Sequence, residues 1–157
     1  WYEGRFETPY LRDPMMDRGL AVDTLETCTN WANLARLHQA ASEAIHRALG
    51  EQAVDREKPG IVMSHLSHAY PDGASLYFTF AFARDDTRAI EQWWAVKRAA
   101  SDAIVSNGGT ISHHHGVGAD HLEWFGAEKG PVGLAALEAV KRRIDPENVL
   151  NPGKLIP

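Results

Sequence analysis

Residues 60–84 read GIVMSHLSHAYPDGASLYFTFAFAR. Two β-rich runs, 60–70 and 74–84, flank the tetrapeptide Tyr70-Pro71-Asp72-Gly73. Proline at its second position and glycine at its fourth suit a type I turn, so the stretch reads as a β-hairpin. With Tyr70 opposite Gly73, paired residue numbers sum to about 143. That register sets His65 against Phe78, Met63 against Phe80 and Ile61 against Phe82 on one face, the face expected to lie under helices. The other face then carries Val62, Ser64, Leu66 and His68 opposite Ala81, Thr79, Tyr77 and Ser75. A water-washed sheet face usually shows Lys, Glu, Arg or Gln, whereas this one is uncharged and holds one His and one Tyr. It therefore reads as a surface that covers a ligand or another domain, with an ordinary second core face as the alternative. A one-residue slip would exchange the two faces.

Around the hairpin the periodicity changes to that of helices. Trp31, Leu34, Leu37, Ala41, Ile45 and Ala48 recur every three or four residues, which predicts an amphipathic helix over 30–49 with Thr29 as N-cap and Gly50 beyond its end. Ile90, Trp93, Trp94, Val96, Ala100 and Ile104 predict a second helix over 87–106, closed by Asn107-Gly108-Gly109. Residues 20–27 and 110–112 read as strands, with a short helix near 120–126 and another over 131–144. The order strand, helix, strand, strand, helix, strand is that of an α+β, ferredoxin-like split βαβ sandwich, a four-stranded antiparallel sheet with helices on one face, followed by C-terminal helices. The expected divisions are an irregular lead-in over 1–18, the sandwich over 19–112, and a His-rich loop, helices and tail over 113–157.

The 157 residues suffice for one ordinary domain, and 21 acidic against 16 basic side chains disfavour a nucleic-acid partner. The longest strongly apolar run, Leu76 to Ala83, is broken by Thr79 and falls far short of the ~20 residues that cross a bilayer. A lone Cys28 fits a reducing compartment, so a cytoplasmic location is expected, with peripheral membrane association as the alternative. The chain opens on Trp1 without a Met or a signal peptide, as the remainder of a longer protein would.

Ser112-His113-His114-His115-Gly116-Val117-Gly118 lies where a strand should end and a helix begin. The run is internal and too short for a tag. On an extended segment only His113 and His115 face one way, so a metal centre would need ligands from elsewhere, such as His68 or His121, and none is expected. Imidazoles that shuttle protons near neutral pH, beside glycines that allow close approach, point to a ligand-contacting loop. A purely structural turn is the alternative. The tail Asp145-Pro146 through Asn151-Pro152-Gly153-Lys154 carries turn signals throughout.

Together with Asp23-Thr24-Leu25-Glu26-Thr27 and the run from Ser67 to Phe78, these motifs resemble the C-terminal part of FAD-linked oxidases of the vanillyl-alcohol oxidase type. The triple-His run and the Tyr77 strand look most like the alkyldihydroxyacetonephosphate synthase branch, and the likeness spans essentially the whole chain. The resemblance implies the cap of an enzyme whose N-terminal FAD-binding domain lies outside these residues. It implies a flavin serving a non-redox exchange, in which the acyl group of acyl-dihydroxyacetone phosphate gives way to a fatty alcohol. Carried over by motif, Tyr77, His114 and His115 are the catalytic residues, and Arg12, His68 and His113 bind substrate. His115, Gly116 and Asn151 face the cofactor. The implied partners are a small phosphorylated or hydroxy-acid substrate and the enzyme's own FAD domain, with a second copy of the chain as a further candidate. Two alternatives stay open: FAD-dependent oxidation of a 2-hydroxy acid such as glycolate or D-lactate, and a non-catalytic binding module.

Overall fold

The computed structural model describes residues 8–156; residues 1–7 of the expected lead-in, and Pro157, lie outside them. A 3-10 turn over Thr8–Leu11 leads into α1 (Arg12–Met16), so the Tyr10-Leu11-Arg12-Asp13 stretch is helical. β1 (Leu20–Asn30), α2 (Leu34–Gln52), β2 (Ile61–Ala69), β3 (Gly73–Ala83), α3 (Ala89–Ser106) and α4 (Leu122–Ile144) follow, α4 being two helical segments that meet at a kink at Gly130, as the two expected C-terminal helices would. The three strands form an antiparallel sheet in the order β1-β3-β2. One face of it packs on α2 and α3 through Leu25, Phe78, Phe80 and Phe82 against Leu37, Ile45, Val96 and Ile104, all buried. Truncating Phe78 or Phe80 to Ala would cost about 3–5 kcal/mol in such a core.

The fold is the mixed α and β arrangement expected, but α2 runs through Gly50 to Gln52, so that glycine does not end it, and three further differences follow. Residues 110–113 lie along the outer edge of β1 without becoming a fourth strand. Thr110 N–H donates to the Cys28 carbonyl (3.0 Å) and His113 N–H to the Glu26 carbonyl (3.0 Å). Between them the ladder is interrupted, because Cys28 N–H turns to the Thr110 hydroxyl (2.9 Å) and the Thr110 carbonyl accepts from Thr27 Oγ1 (2.7 Å).

Thr29 does not cap α2. Its hydroxyl donates to the Gly108 carbonyl (3.1 Å) and accepts from Asn33 Nδ2 (3.0 Å), and residues 30–33 make a turn before the helix begins. Trp31 is thereby taken off the buried stripe. It is 46% exposed and donates its indole N–H to the Tyr70 carbonyl (3.1 Å).

The hairpin register is the third difference. Beside the turn it follows the expected sum, with Ala69 opposite Ala74, but Ile61 to Leu66 pair one residue out of step, as in Ile61–Ala81 and His65–Tyr77. Ser67 and His68 together span the place of Ser75, a β-bulge. The slip puts Ile61, Met63 and His65 on the open face and turns Val62 and Ser64 toward α2, where Ser64 Oγ meets His38 Nε2 at 2.7 Å. The bulge returns His68 to the open face, where the sequence placed it.

Candidate functional site

The open face spans all three strands, and the pairing of β1 with β3 sets Glu26 directly opposite Tyr77 and Cys28 opposite Ser75. Glu26 is the one charged side chain that the pairing puts on this face, and it is only 4% exposed. A carboxylate out of water needs donors, since leaving it unpaired costs several kcal/mol. Three are at hand: Ser75 Oγ donates to Oε1 (3.0 Å), His68 Nδ1 stands 3.4 Å from the same oxygen, and His115 Nε2 stands 3.3 Å from Oε2. The bulge also fixes His68 from behind, through its N–H to Ser75 Oγ (3.0 Å).

The histidine loop hangs between two anchors. Ile111 is buried against Trp124 and Phe125, and Val117 packs on the same cluster, so α4 holds both ends. Between them His115 N–H donates back to the His113 carbonyl (2.8 Å), a three-residue turn with His114 at φ 60°. A β-carbon in that region is strained, and strain of this kind gathers at functional sites. The turn overrides the alternation expected of an extended triplet and brings all three rings over the sheet. His114 meets His68 edge-on (4.6 Å) and His113 (4.0 Å), while His115 meets Tyr77 edge-on (5.2 Å). His113 Nε2 shares a hydrogen bond with Tyr70 Oη (2.9 Å). Burial, and then the neighbouring His114 charge, push the His113 pKa below the usual imidazole value. The Tyr77 hydroxyl makes no hydrogen bond among the described residues, and its ring stacks on His65 (5.2 Å).

His68, His113, His114, His115 and Tyr77 are thus gathered on one face. Gly116 follows in the turn at φ 77°. Arg12 is not brought to this face. It lines a separate cleft of about 590 Å³ with Asp23, Arg84, Trp93 and Asp120. Asn151 also stands apart, in a groove with Lys141, Asp145 and Lys154, where the buried Asp145 carboxylate ties down the tail by accepting from Lys141 and from the Val149 and Leu150 N–H groups.

Glu26, Ser75 as a hydrogen-bonding partner, and Tyr70 were not among the expected site residues. The signal for Glu26 was present: an acidic residue in a strand whose alternation, once paired with β3, places it beside Tyr77. Glu26, His68 and His114 also bring one ligand atom each within 4.8 Å of one another, so the acidic partner that the triplet lacks in sequence comes from β1.

Chemically, the cluster offers an unpartnered phenol beside an imidazole that is backed by a buried carboxylate, the elements of a proton relay.

Comparison with known proteins gives a match to the family model "FAD linked oxidases, C-terminal domain" over residues 1–155. The chain is 34% identical over its whole length to alkyldihydroxyacetonephosphate synthase of Dictyostelium discoideum and 35% identical over 99% of its length to that of Caenorhabditis elegans. It spans about a quarter of each, 25% and 26%. A solved alkyldihydroxyacetonephosphate synthase structure superposes with a TM-score of 0.64 at 28% identity, covering 97% of this chain and 23% of that one.

Proposed function

The chain belongs to the FAD-linked oxidase C-terminal domain family, and from that premise we propose that it is the cap of a flavoenzyme that exchanges the acyl group of acyl-dihydroxyacetone phosphate for a fatty alcohol. The observation that carries this reading is the free Tyr77 hydroxyl set beside the His115–Glu26 pair on an otherwise uncharged sheet face. Beside it lie Thr79, Ala81 and Val22, small or apolar groups against which a flat heteroaromatic ring fits. The flavin, held mainly by residues outside this chain, supplies a ring that reversibly accepts an electron pair.

In this reading Tyr77 Oη gives and takes the proton at the substrate oxygen. His115, its Nε2 kept in place by Glu26, passes that proton on. His114 and His68, packed edge-on to one another, line the substrate side. His113, held neutral and bonded to Tyr70, orients the loop and binds substrate as a neutral donor or acceptor. Arg12 and Asn151 lie in other clefts and take no part in the proton relay. The chain without its FAD-binding partner is expected to hold the cofactor weakly and to be inactive.

Anaerobic mixing of the full-length enzyme with acyl-dihydroxyacetone phosphate and a long-chain alcohol tests the reading. Ether product with the flavin oxidised at the end of turnover supports it. Bleaching of the flavin by glycolate or D-lactate, with no exchange, would assign hydroxy-acid oxidation to the same face instead.

A further inference from the structure

A second cleft of about 360 Å³ adjoins the Tyr77 face, with Thr24 and His115 in its lining. Its wall is the turn Gly116-Val117-Gly118, its sides are Lys97 of α3 and Lys154 of the tail, and His121 sits in its lining. His121 is 8% exposed, and neither ring nitrogen has a hydrogen-bond partner among the described residues. Buried polar atoms are nearly always paired, so an imidazole orphaned at both nitrogens and lining a cleft marks a place where something polar binds. The Gly116 carbonyl is close enough to favour a charged ring but makes no hydrogen bond with it, and already accepts from Ser112 Oγ (2.7 Å).

We propose that this cleft binds a phosphate-class oxyanion, with His121 as the side chain that hydrogen-bonds it.

The donors support the choice of ligand. Lys97 is 3% exposed and spends two of its three N–H bonds on Asp23 Oδ2 (2.9 Å) and the Thr24 carbonyl (3.3 Å), leaving one free. The N–H groups of Gly116, Val117 and Gly118 donate to nothing else among the described residues. Gly116 and Gly118 have φ of 77° and 55°, with open space where a β-carbon would stand. Glycines in that conformation build the concave main-chain surfaces that receive anions. Lys154 adds an exposed cation. The acidic groups facing the cleft are Asp23 and Asp120. Asp23 is already satisfied by Lys97, by the Trp93 indole N–H (2.7 Å) and by the Thr24 N–H (2.7 Å), which leaves exposed Asp120 as the opposing charge. His115, the remaining titratable group in the lining, is held by Glu26. An oxyanion among these donors favours a protonated His121, so binding takes up a proton.

The test reads the ring itself and is independent of turnover, so its failure leaves the flavin reading untouched and the reverse also holds. In the full protein carrying 15N-histidine, His121 is assigned by its loss in His121→Phe. Sodium phosphate is then titrated near pH 7 against chloride of equal ionic strength. The expected result is a saturable shift of both His121 ring nitrogens toward imidazolium values. His121→Phe and the surface variant Lys154→Ala should each weaken phosphate binding by about tenfold or more, the usual worth of a charge-assisted hydrogen bond. Glycerol 3-phosphate binding more tightly than ADP would assign the cleft to a phosphomonoester substrate, and the reverse order to a diphosphate cofactor. Ring nitrogens that titrate identically in phosphate and chloride, or phosphate affinity unchanged in both variants, would overturn the proposal.

Discussion

His115 Nε2 stands 3.3 Å from Glu26 Oε2, joining the middle of the first strand to a loop almost ninety residues later. The pair ties the histidine loop to the sheet and gives a buried charge one of its three partners. It also stands edge-on to Tyr77, so it serves the fold and the chemistry at once.

Replacing Glu26 with Gln keeps the shape and most of the hydrogen bonds but removes the charge. Turnover of the full-length enzyme should fall by about a hundredfold, the usual worth of a positioned acid-base pair, with the circular dichroism spectrum unchanged. Glu26→Leu should in addition release the loop, seen as proteolytic cleavage within residues 112–118. Wild-type turnover in the Gln variant would remove the carboxylate from the relay.

Gly73 approaches β1 so closely that an added β-carbon would meet the Thr29 carbonyl oxygen at 2.2 Å. The atoms met are all β1 main chain, which has little room to yield, so Gly73→Ala is expected to destabilise the domain by about 2–3 kcal/mol or more, read from the urea midpoint. A change below about 0.5 kcal/mol would mean the hairpin and β1 are not packed as described.

Acid should weaken the fold in two separate windows. His113 and His121 are both pushed below the usual 6.5, each first by burial, then by the His114 charge for His113 and the Lys97 charge for His121. The unfolded chain binds these protons more readily, so their contribution is complete above about pH 6.5 and is lost as pH falls below it. Asp145, held below 3.8 chiefly by the Lys141 hydrogen bond, contributes stability that is lost only below about that value. Thermal melts between pH 7.5 and 5.5 should show a falling Tm, and His113→Asn should flatten the decline. A Tm that rises as pH falls through 6.5 would reverse the assignment.

His121 is an orphan in the ligand-free protein, so removing its polar atoms should relieve a desolvation cost. In phosphate-free buffer His121→Phe is expected to be as stable as the natural chain or more so, by about 1–3 kcal/mol. Marked destabilisation would show that the ring already has partners.

The sequence made the elements legible because their periods differ: the stripes of α2 and α3 and the Pro71-Asp72 turn need no tertiary information. The register was harder. Alternation alone fits a sum of 143 throughout, and the bulge at Ser67–His68 that shifts Ile61 to Leu66 depends on how Ser75 and His68 bond across the strands. The histidine triplet was legible as a site, but its geometry was not, because the left-handed turn at His114 is imposed by the anchoring of Ile111 and Val117 under α4. The buried partner role of Glu26 and the unpartnered state of His121 became visible only once pairing and burial were known.

Tyr77→Phe in the full-length enzyme tests the central claim most directly, since it deletes one oxygen that holds no hydrogen bond among the described residues. Bound FAD and thermal stability should match the natural protein, while turnover in the exchange of acyl for alkyl should fall by at least about a hundredfold. Turnover within a few-fold of the natural enzyme would contradict the assignment of this face as the site of proton transfer.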